Sequence, residues 1–402
     1  MRFTLVANLL SAAGAFGLTI IFSRSLRSED FATIVVWSSL FSWGQFIVSL
    51  SSVGYVVRAT ITGGKNEGVN SIATIVQYVA FISVLSAVVW FCIGQIMEGI
   101  LNEYSELFYY SCVLASLTAT QSTLTAYYRY VEQHRVANFI QTSFSVGTLL
   151  ISCLFAVNEA LDVVDRARVP AVVLIGIFLF YRPGVATIVR RMKLRSLKEV
   201  WLFLKYSSGF IGHSAAHTLV GGFDRLVLNS TIGSVELGNY HVIKQGAESL
   251  RIIGQAIQSH MGPTFLKSFN VGEAARYNEL TRQFVIYVAG AALFSILTSL
   301  VLFLLSGREF SAHILILCLI LVVSNAVYSV YDFTSMSSSL GHGYGLSFRS
   351  VVVCSMYAIA IYLFQRQIDL IAMSFAYLCF TIALLISVRF SPKFADHHDF
   401  KI

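Results

Sequence analysis

Apolar segments of about 20 residues recur along the whole 402-residue chain and constrain its fold more than any other feature. A helix needs about 20 mostly apolar residues to cross a hydrocarbon core of roughly 30 Å. Such segments lie at about 3–22, 32–55, 71–95, 106–128, 138–157, 169–188, 200–221, 237–260, 284–306, 311–331, 347–365 and 368–388. The sequence therefore predicts an all-α polytopic membrane protein with about 12 transmembrane helices.

The amino-acid composition excludes several classes of protein. The chain is 56% hydrophobic and only 12% charged, whereas soluble proteins carry roughly 25% charged residues. Twelve helices use about 240 residues, so the remaining connections leave no room for a sizeable soluble domain. This arithmetic excludes a chain with its own ATPase domain and a secreted or cytosolic enzyme. A transporter, a channel or a membrane-embedded transferase remains.

Basic residues are distributed unevenly between the two predicted sides of the membrane. An even number of spans places both termini on one side, and that side collects about 19 Lys and Arg against about 7 on the other. Cytoplasmic loops carry such an excess, so both termini are predicted to be cytoplasmic. The apolar run that follows Arg2 is predicted to be a retained first helix rather than a cleaved signal peptide.

The densest basic stretch, RRMKLRSLK at 190–198, separates six predicted spans from the next six. Many transporters are built from two such halves. We therefore predict an N-terminal six-helix bundle at 1–188, a basic cytoplasmic connector at 189–199, a C-terminal six-helix bundle at 200–388 and a cytoplasmic tail at 389–402.

The eighth predicted span carries polar residues at spacings that place them all on one helical face. They are His241, Lys244, Glu248, Arg251, Gln255 and Gln258. Each ionised side chain near the centre of a span costs about 2.5 to 3.5 kcal/mol if it faces lipid. Two interpretations remain open: an internal network in which Glu248 pairs with Lys244 and Arg251, or a cationic cavity that receives an anion.

The seventh predicted span adds Lys205, His213 and His217. The two histidines are four residues apart and share a face, but no third ligand completes a local zinc motif, so no metal site is predicted. A polar cavity lining, a hydrogen-bonded buried pair and a proton relay remain open as roles for the two histidines.

The sequence also has no P-loop, HExxH or GxSxG motif. We therefore predict no cofactor and no enzymatic activity.

Two short motifs resemble those of a known family. FDRLVLNSTIGSVELGNY, which contains Asp224 and Arg225, resembles the opening of the second half of bacterial polysaccharide exporters. NLLSAAGAFGLTIIFSRSLRSEDF, which contains Asn8 and Arg24, resembles their first helix. These exporters are the O-antigen and lipid-linked oligosaccharide flippases of the multidrug/oligosaccharidyl-lipid/polysaccharide exporter superfamily.

The resemblance implies two six-helix bundles around a central cationic cavity with alternating access. It also implies a bacterial inner-membrane protein that moves polyprenyl-pyrophosphate-linked oligosaccharides from the cytoplasmic to the periplasmic leaflet, with a polysaccharide polymerase or chain-length complex as a further partner. If the resemblance holds, the residues that bind the substrate in the cationic cavity are expected to be Lys244, Arg251, Arg24, Lys205 and Arg129. We expect the cavity-lining or coupling residues to be Glu248, His213, His217, His241 and Gln255.

Two alternatives remain. A drug/cation antiporter of the same superfamily is expected to favour intramembrane carboxylates, and Glu248 is outnumbered by cations in its span. A membrane-embedded polymerase or glycosyltransferase is expected to carry a long extracytoplasmic loop, which the predicted spans do not leave room for. For Asp224 and Arg225, a local pair at a helix end and direct substrate contact are both open.

Overall fold

The computed structural model describes residues 2–50, 52–96, 105–131, 133–181, 197–308, 311–336, 344–364 and 369–389. Within these ranges the chain forms fourteen α-helices and no β-strand, which confirms the predicted all-α class. Seven candidate membrane spans are long and apolar enough to cross a bilayer within the described ranges. The predicted connector at 189–199 and tail at 389–402 lie largely outside those ranges, so these two predictions stay open.

One compact unit comprises Leu10–Ser208. It contains the part of α1 (Arg2–Ser25) that follows Leu9, and the helices α2 (Ser28–Ser49), α3 (Ser52–Ile96), α4 (Ser105–Tyr130), α5 (His134–Val157), α6 (Asp165–Phe180) and α7 (Leu197–Ser208). Fully buried apolar side chains from α3, α4 and α5, among them Val56, Ile72 and Ala119, form its core. Close van der Waals packing of such side chains holds the helices together in this core, because lipid is as apolar as the core and supplies no hydrophobic driving force.

The helix α3 is broken at Gly64, which has φ 75° and ψ −169°. An L-residue rarely adopts this conformation, so glycine is required at the point where the chain reverses. The end of the second predicted span and the start of the third therefore lie on the two sides of this turn. A second break follows α2, where Leu50 adopts a left-handed conformation with φ 34° and ψ 55°.

The other compact unit comprises Gly209–Ile402 together with Met1–Leu9. Its further helices are α8 (Ile211–Thr231), α9 (Ser234–Ala247), α10 (Ser249–Val271), α11 (Ala274–Leu305), α12 (Ala312–Ser335), α13 (Tyr344–Phe364) and α14 (Leu370–Arg389). Small residues allow these helices to approach closely, as is common between membrane helices. Gly246 of α9 lies against the backbone of Ser299, and the Ser249 hydroxyl donates to the Ser295 hydroxyl at 3.0 Å.

Two predicted spans are each divided between two helices. The seventh, at 200–221, is split at Gly209–Phe210 into α7 and α8, and the boundary between the compact units falls at the same place. The eighth, at 237–260, is split at Glu248 into α9 and α10. The second break is slight, because Glu248 keeps right-handed helical angles and its carbonyl accepts from the Ile252 amide at 3.1 Å.

Candidate functional site

The centre of the candidate site is a buried ion pair between α8 and α9. The Lys244 ammonium donates to Asp224 Oδ2 at 2.6 Å, and the two side chains are 0% and 1% exposed. The Tyr240 hydroxyl donates to the same carboxylate oxygen, while the Arg225 backbone amide donates to Oδ1 at 2.9 Å. Both carboxylate oxygens are therefore hydrogen-bonded, as a buried charge requires.

A second ion pair lies directly beside the first. Arg225 Nη2 donates to Glu248 Oε1 at 3.1 Å, and the two side chains are 5% and 12% exposed. Asp224 and Arg225 are adjacent on α8 and carry opposite charges. The negative Asp224 pairs with Lys244, and the positive Arg225 pairs with Glu248. The four formal charges cancel, so these residues, which we call the buried quartet, form a neutral unit in a region of low dielectric constant.

This pairing differs from the network considered from the sequence. A Lys244–Glu248 pair at i,i+4 was one interpretation, but each residue instead pairs with a residue of α8. The local Asp224–Arg225 contact is made through the Arg225 backbone rather than its guanidinium group. The physical reason is that α8 packs beside α9 and offers each charge a partner from a neighbouring helix.

Tyrosine side chains surround Lys244. The Lys244 ammonium lies 4.8 Å from the ring centre of Tyr377 in α14, close enough for a cation–π interaction. The Tyr377 side chain is buried, and its hydroxyl has no hydrogen-bond partner among the described residues. Sequence periodicity did not indicate Tyr240 or Tyr377, because both are ordinary residues in apolar helices until the fold places charges beside them.

Arg251 lies one turn beyond Glu248, in α10, and is half-buried. Its Nε is buried and has no hydrogen-bond partner among the described residues. Glu248 and Asp332 influence it electrostatically from a longer distance. Arg251 is therefore a cation with an unsatisfied Nε donor next to a quartet whose charges already balance.

The remaining predicted residues of this unit have varied surroundings. His241 is buried on α9, whereas Gln255 on α10 is exposed. His213 Nδ1 lies 2.8 Å from the Tyr331 hydroxyl. The side chain of His217 lies outside the described residues. The predicted polar face thus changes from buried at its start to exposed further along α10.

Three predicted basic residues belong to the Leu10–Ser208 unit. Arg24 is exposed in the last turn of α1, and Lys205 is exposed on α7. Arg129 is half-buried near the end of α4, where its guanidinium group donates to the Gln141 side chain of α5. Within the described part of the chain, no group of three potential metal-ligating side chains occurs.

Solved structures provide the comparison with known proteins. No protein-family model and no curated protein matches the sequence. The chain matches the Vibrio cholerae MATE transporter VcmN in its bent form with a TM-score of 0.62 and 13% identity, over 97% of this chain and 98% of that chain. An aspartate-to-asparagine mutant of VcmN gives a TM-score of 0.65 and 12% identity, over 96% of this chain and 95% of that chain.

The chain therefore has the fold of the MATE transporters. These transporters have 12 helices in two bundles, so the comparison confirms the predicted polytopic fold. The matched proteins are transporters.

Proposed function

We propose that this protein is an alternating-access transporter of the bacterial inner membrane. Its substrate is an oligosaccharide linked to polyprenyl pyrophosphate, which it moves from the cytoplasmic to the periplasmic leaflet for surface polysaccharide synthesis. Both termini lie in the cytoplasm, and a polysaccharide polymerase or chain-length complex is a further partner. The single observation that carries the choice of an anionic substrate is Arg251, a half-buried cation whose buried Nε has no hydrogen-bond partner among the described residues.

The chemistry of Arg251 fits a pyrophosphate. A guanidinium group presents its donors in a planar fork that matches two phosphate oxygens, and charge-assisted hydrogen bonds of this kind are stronger than neutral ones. A buried donor without a partner is unfavourable, so binding a phosphate group relieves that cost. The polyprenyl chain needs no cavity, because it can remain in the lipid.

Lys244 has a different role in this proposal from Arg251. Its ammonium group is enclosed by Asp224 and the Tyr377 ring, so a phosphate reaches it only when the buried quartet opens. We therefore assign first contact to Arg251 and a later contact, in another transport state, to Lys244. Arg24, Arg129 and Lys205 remain proposed contacts for the pyrophosphate or the sugars.

Arg251→Ala is expected to reduce export about 10- to 100-fold, equivalent to the roughly 1.5 to 3 kcal/mol of one hydrogen bond to a charged group. Arg251→Lys retains the charge without the fork and is expected to give intermediate export. The measurement is the rate at which complete lipid-linked units reach the periplasmic leaflet in a deletion strain complemented with each variant.

Arg282→Ala is the matched control, because it removes an exposed arginine from α11. The amounts of membrane-inserted protein are compared in the same cells. Unchanged export in Arg251→Ala at normal protein levels would contradict the proposed role of Arg251.

A second candidate is a drug/cation antiporter. Two observations favour it: the matched structures are MATE transporters, and the buried quartet contains the carboxylates of Asp224 and Glu248. Both carboxylates are already paired with cations, which makes them weaker ligands for a cationic drug. In that case deletion changes drug tolerance and leaves the lipid-linked sugars unaltered.

A further inference from the structure

Tyr377 lies on the buried face of α14. Met373, Phe380 and Leu384 share this face and are each at most 3% exposed. They lie four residues before, three after and seven after Tyr377, spacings that place side chains on one side of a helix. Tyr377 itself is 1% exposed. Its ring is therefore held inside the Gly209–Ile402 unit by the packing of α14.

The ring of Tyr377 makes a contact through its face, but its hydroxyl does not. The Lys244 ammonium lies 4.8 Å from the ring centre, and a cation–π contact of this kind uses the face of the ring. The hydroxyl lies at the edge of the ring and has no hydrogen-bond partner among the described residues. A buried hydroxyl of this kind is unfavourable, because it gives up hydrogen bonds to water without replacing them. It needs a partner that the described part of the chain does not supply.

A second unsatisfied donor lies in the same surroundings. The buried Arg251 Nε has no hydrogen-bond partner among the described residues. Arg251 and Tyr377 influence each other electrostatically, so they are near neighbours in this unit. The guanidinium group can only donate hydrogen bonds, and the tyrosine hydroxyl can donate one. A ligand that carries several acceptor oxygens can therefore satisfy both groups.

We propose that Tyr377 is a substrate-binding residue whose hydroxyl donates a hydrogen bond to a phosphate group held by Arg251. This inference rests on the proposed function, in which the pyrophosphate contacts Arg251 first and Lys244 later. Because the Tyr377 ring contacts Lys244, a phosphate bound to the hydroxyl lies beside the next cation. Phosphate oxygens are negatively charged, and hydrogen bonds to charged acceptors are stronger than those between neutral groups.

The first test is the thermal stability of Tyr377→Phe without ligand. The substitution keeps the ring that contacts Lys244 and removes only the hydroxyl. We expect the melting temperature to rise by about 2 °C, because an unsatisfied buried group is lost. A fall in the melting temperature would overturn the proposal, because the hydroxyl would then have a structural partner.

Tyr78→Phe is the matched control for this substitution. Tyr78 is 4% exposed, and its hydroxyl donates to the Ile47 carbonyl at 3.0 Å. Removing a hydroxyl that already has a partner should lower the melting temperature by about 2 °C. Tyr78 belongs to the other compact unit, Leu10–Ser208, so ligand binding beside Arg251 should not change.

The second test is the affinity of the purified full-length protein for inorganic pyrophosphate, measured by calorimetry in detergent. We expect Tyr377→Phe to raise Kd about 10-fold, the effect of one hydrogen bond to a charged group, and Tyr78→Phe to leave it unchanged. Equal Kd values for the unmodified protein and Tyr377→Phe would overturn the role of the hydroxyl, as would undetectable binding to the unmodified protein. A short-chain phosphatidylglycerol is titrated in parallel, and tighter binding of this phosphodiester would overturn the assignment to pyrophosphate.

These measurements separate the inference from the proposed function. If Tyr377→Phe weakens pyrophosphate binding but Arg251→Ala exports normally, only the transport proposal fails. If Arg251→Ala blocks export while Tyr377→Phe binds pyrophosphate as tightly as the unmodified protein, only the role of Tyr377 fails.

Discussion

Replacing Asp224 by alanine is expected to destabilise the protein by about 3–5 kcal/mol, the range observed when one partner of a buried ion pair is removed. Lys244 would keep its charge in a site that is 0% exposed, and the Tyr240 hydroxyl would lose its acceptor. The measurement is the free energy of unfolding in detergent. The amount of folded protein recovered from membranes is measured in parallel.

Two controls test whether the burial of the ion pair causes the expected loss of stability. The Arg276–Glu279 pair has a similar distance of 2.8 Å, but its side chains are 48% and 51% exposed. Glu279→Ala should therefore change stability by less than about 1 kcal/mol. Asp224→Leu combined with Lys244→Met removes both charges and should recover part of the loss. Equal effects of Asp224→Ala and Glu279→Ala would contradict the importance of the buried quartet.

Gly212→Ala is expected to give the second large loss of stability, about 3 kcal/mol, at the upper end of typical overpacking effects. A Cβ at this position would lie 2.0 Å from the Ser347 carbonyl oxygen and 2.7 Å from the Val351 side chain. The Gly212 amide also donates to the Ser347 hydroxyl at 2.6 Å. Because the obstacle is backbone, α8 must move away from α13, and thermal unfolding should occur at a lower temperature.

Gly290→Ala provides the comparison for this prediction. Gly290 also lies within a helix, but no atom lies within 4 Å of its added Cβ. Alanine favours helix over glycine by about 1 kcal/mol, so this variant should be neutral or slightly more stable. A similar loss in both variants would show that the close approach of α8 and α13 is not the cause.

The sequence predicts the helical architecture well, because each membrane span must satisfy its own backbone hydrogen bonds and show its own apolar run. The breaks within the predicted spans are harder to predict from the sequence. Glu248 lies in a continuous helical pattern, and Leu50 adopts a left-handed conformation that its side chain disfavours. Both depend on packing against neighbouring helices, which periodicity within one segment does not report.

The candidate site, like the fold, can be predicted from the sequence only in part. The charged face that contains Lys244, Glu248 and Arg251 follows from spacing alone. The partners of these charges cannot be predicted from spacing, because Asp224 and Arg225 lie on another helix. Spacing along the sequence indicates only which residues of the same helix are neighbours. The sequence therefore identified the charges that need compensation, and the fold supplies the partners. We propose Arg251 as the cation available to a substrate.

The most direct test of the transport proposal is the leaflet distribution of lipid-linked oligosaccharides after deletion of the gene in the native host. We predict that complete units accumulate on the cytoplasmic leaflet, that surface polysaccharide is lost, and that the intact gene restores both. Complete but unpolymerised units on the periplasmic leaflet would contradict transport and indicate a polymerase. Unchanged lipid-linked sugars with altered drug tolerance would contradict the flippase and favour the antiporter.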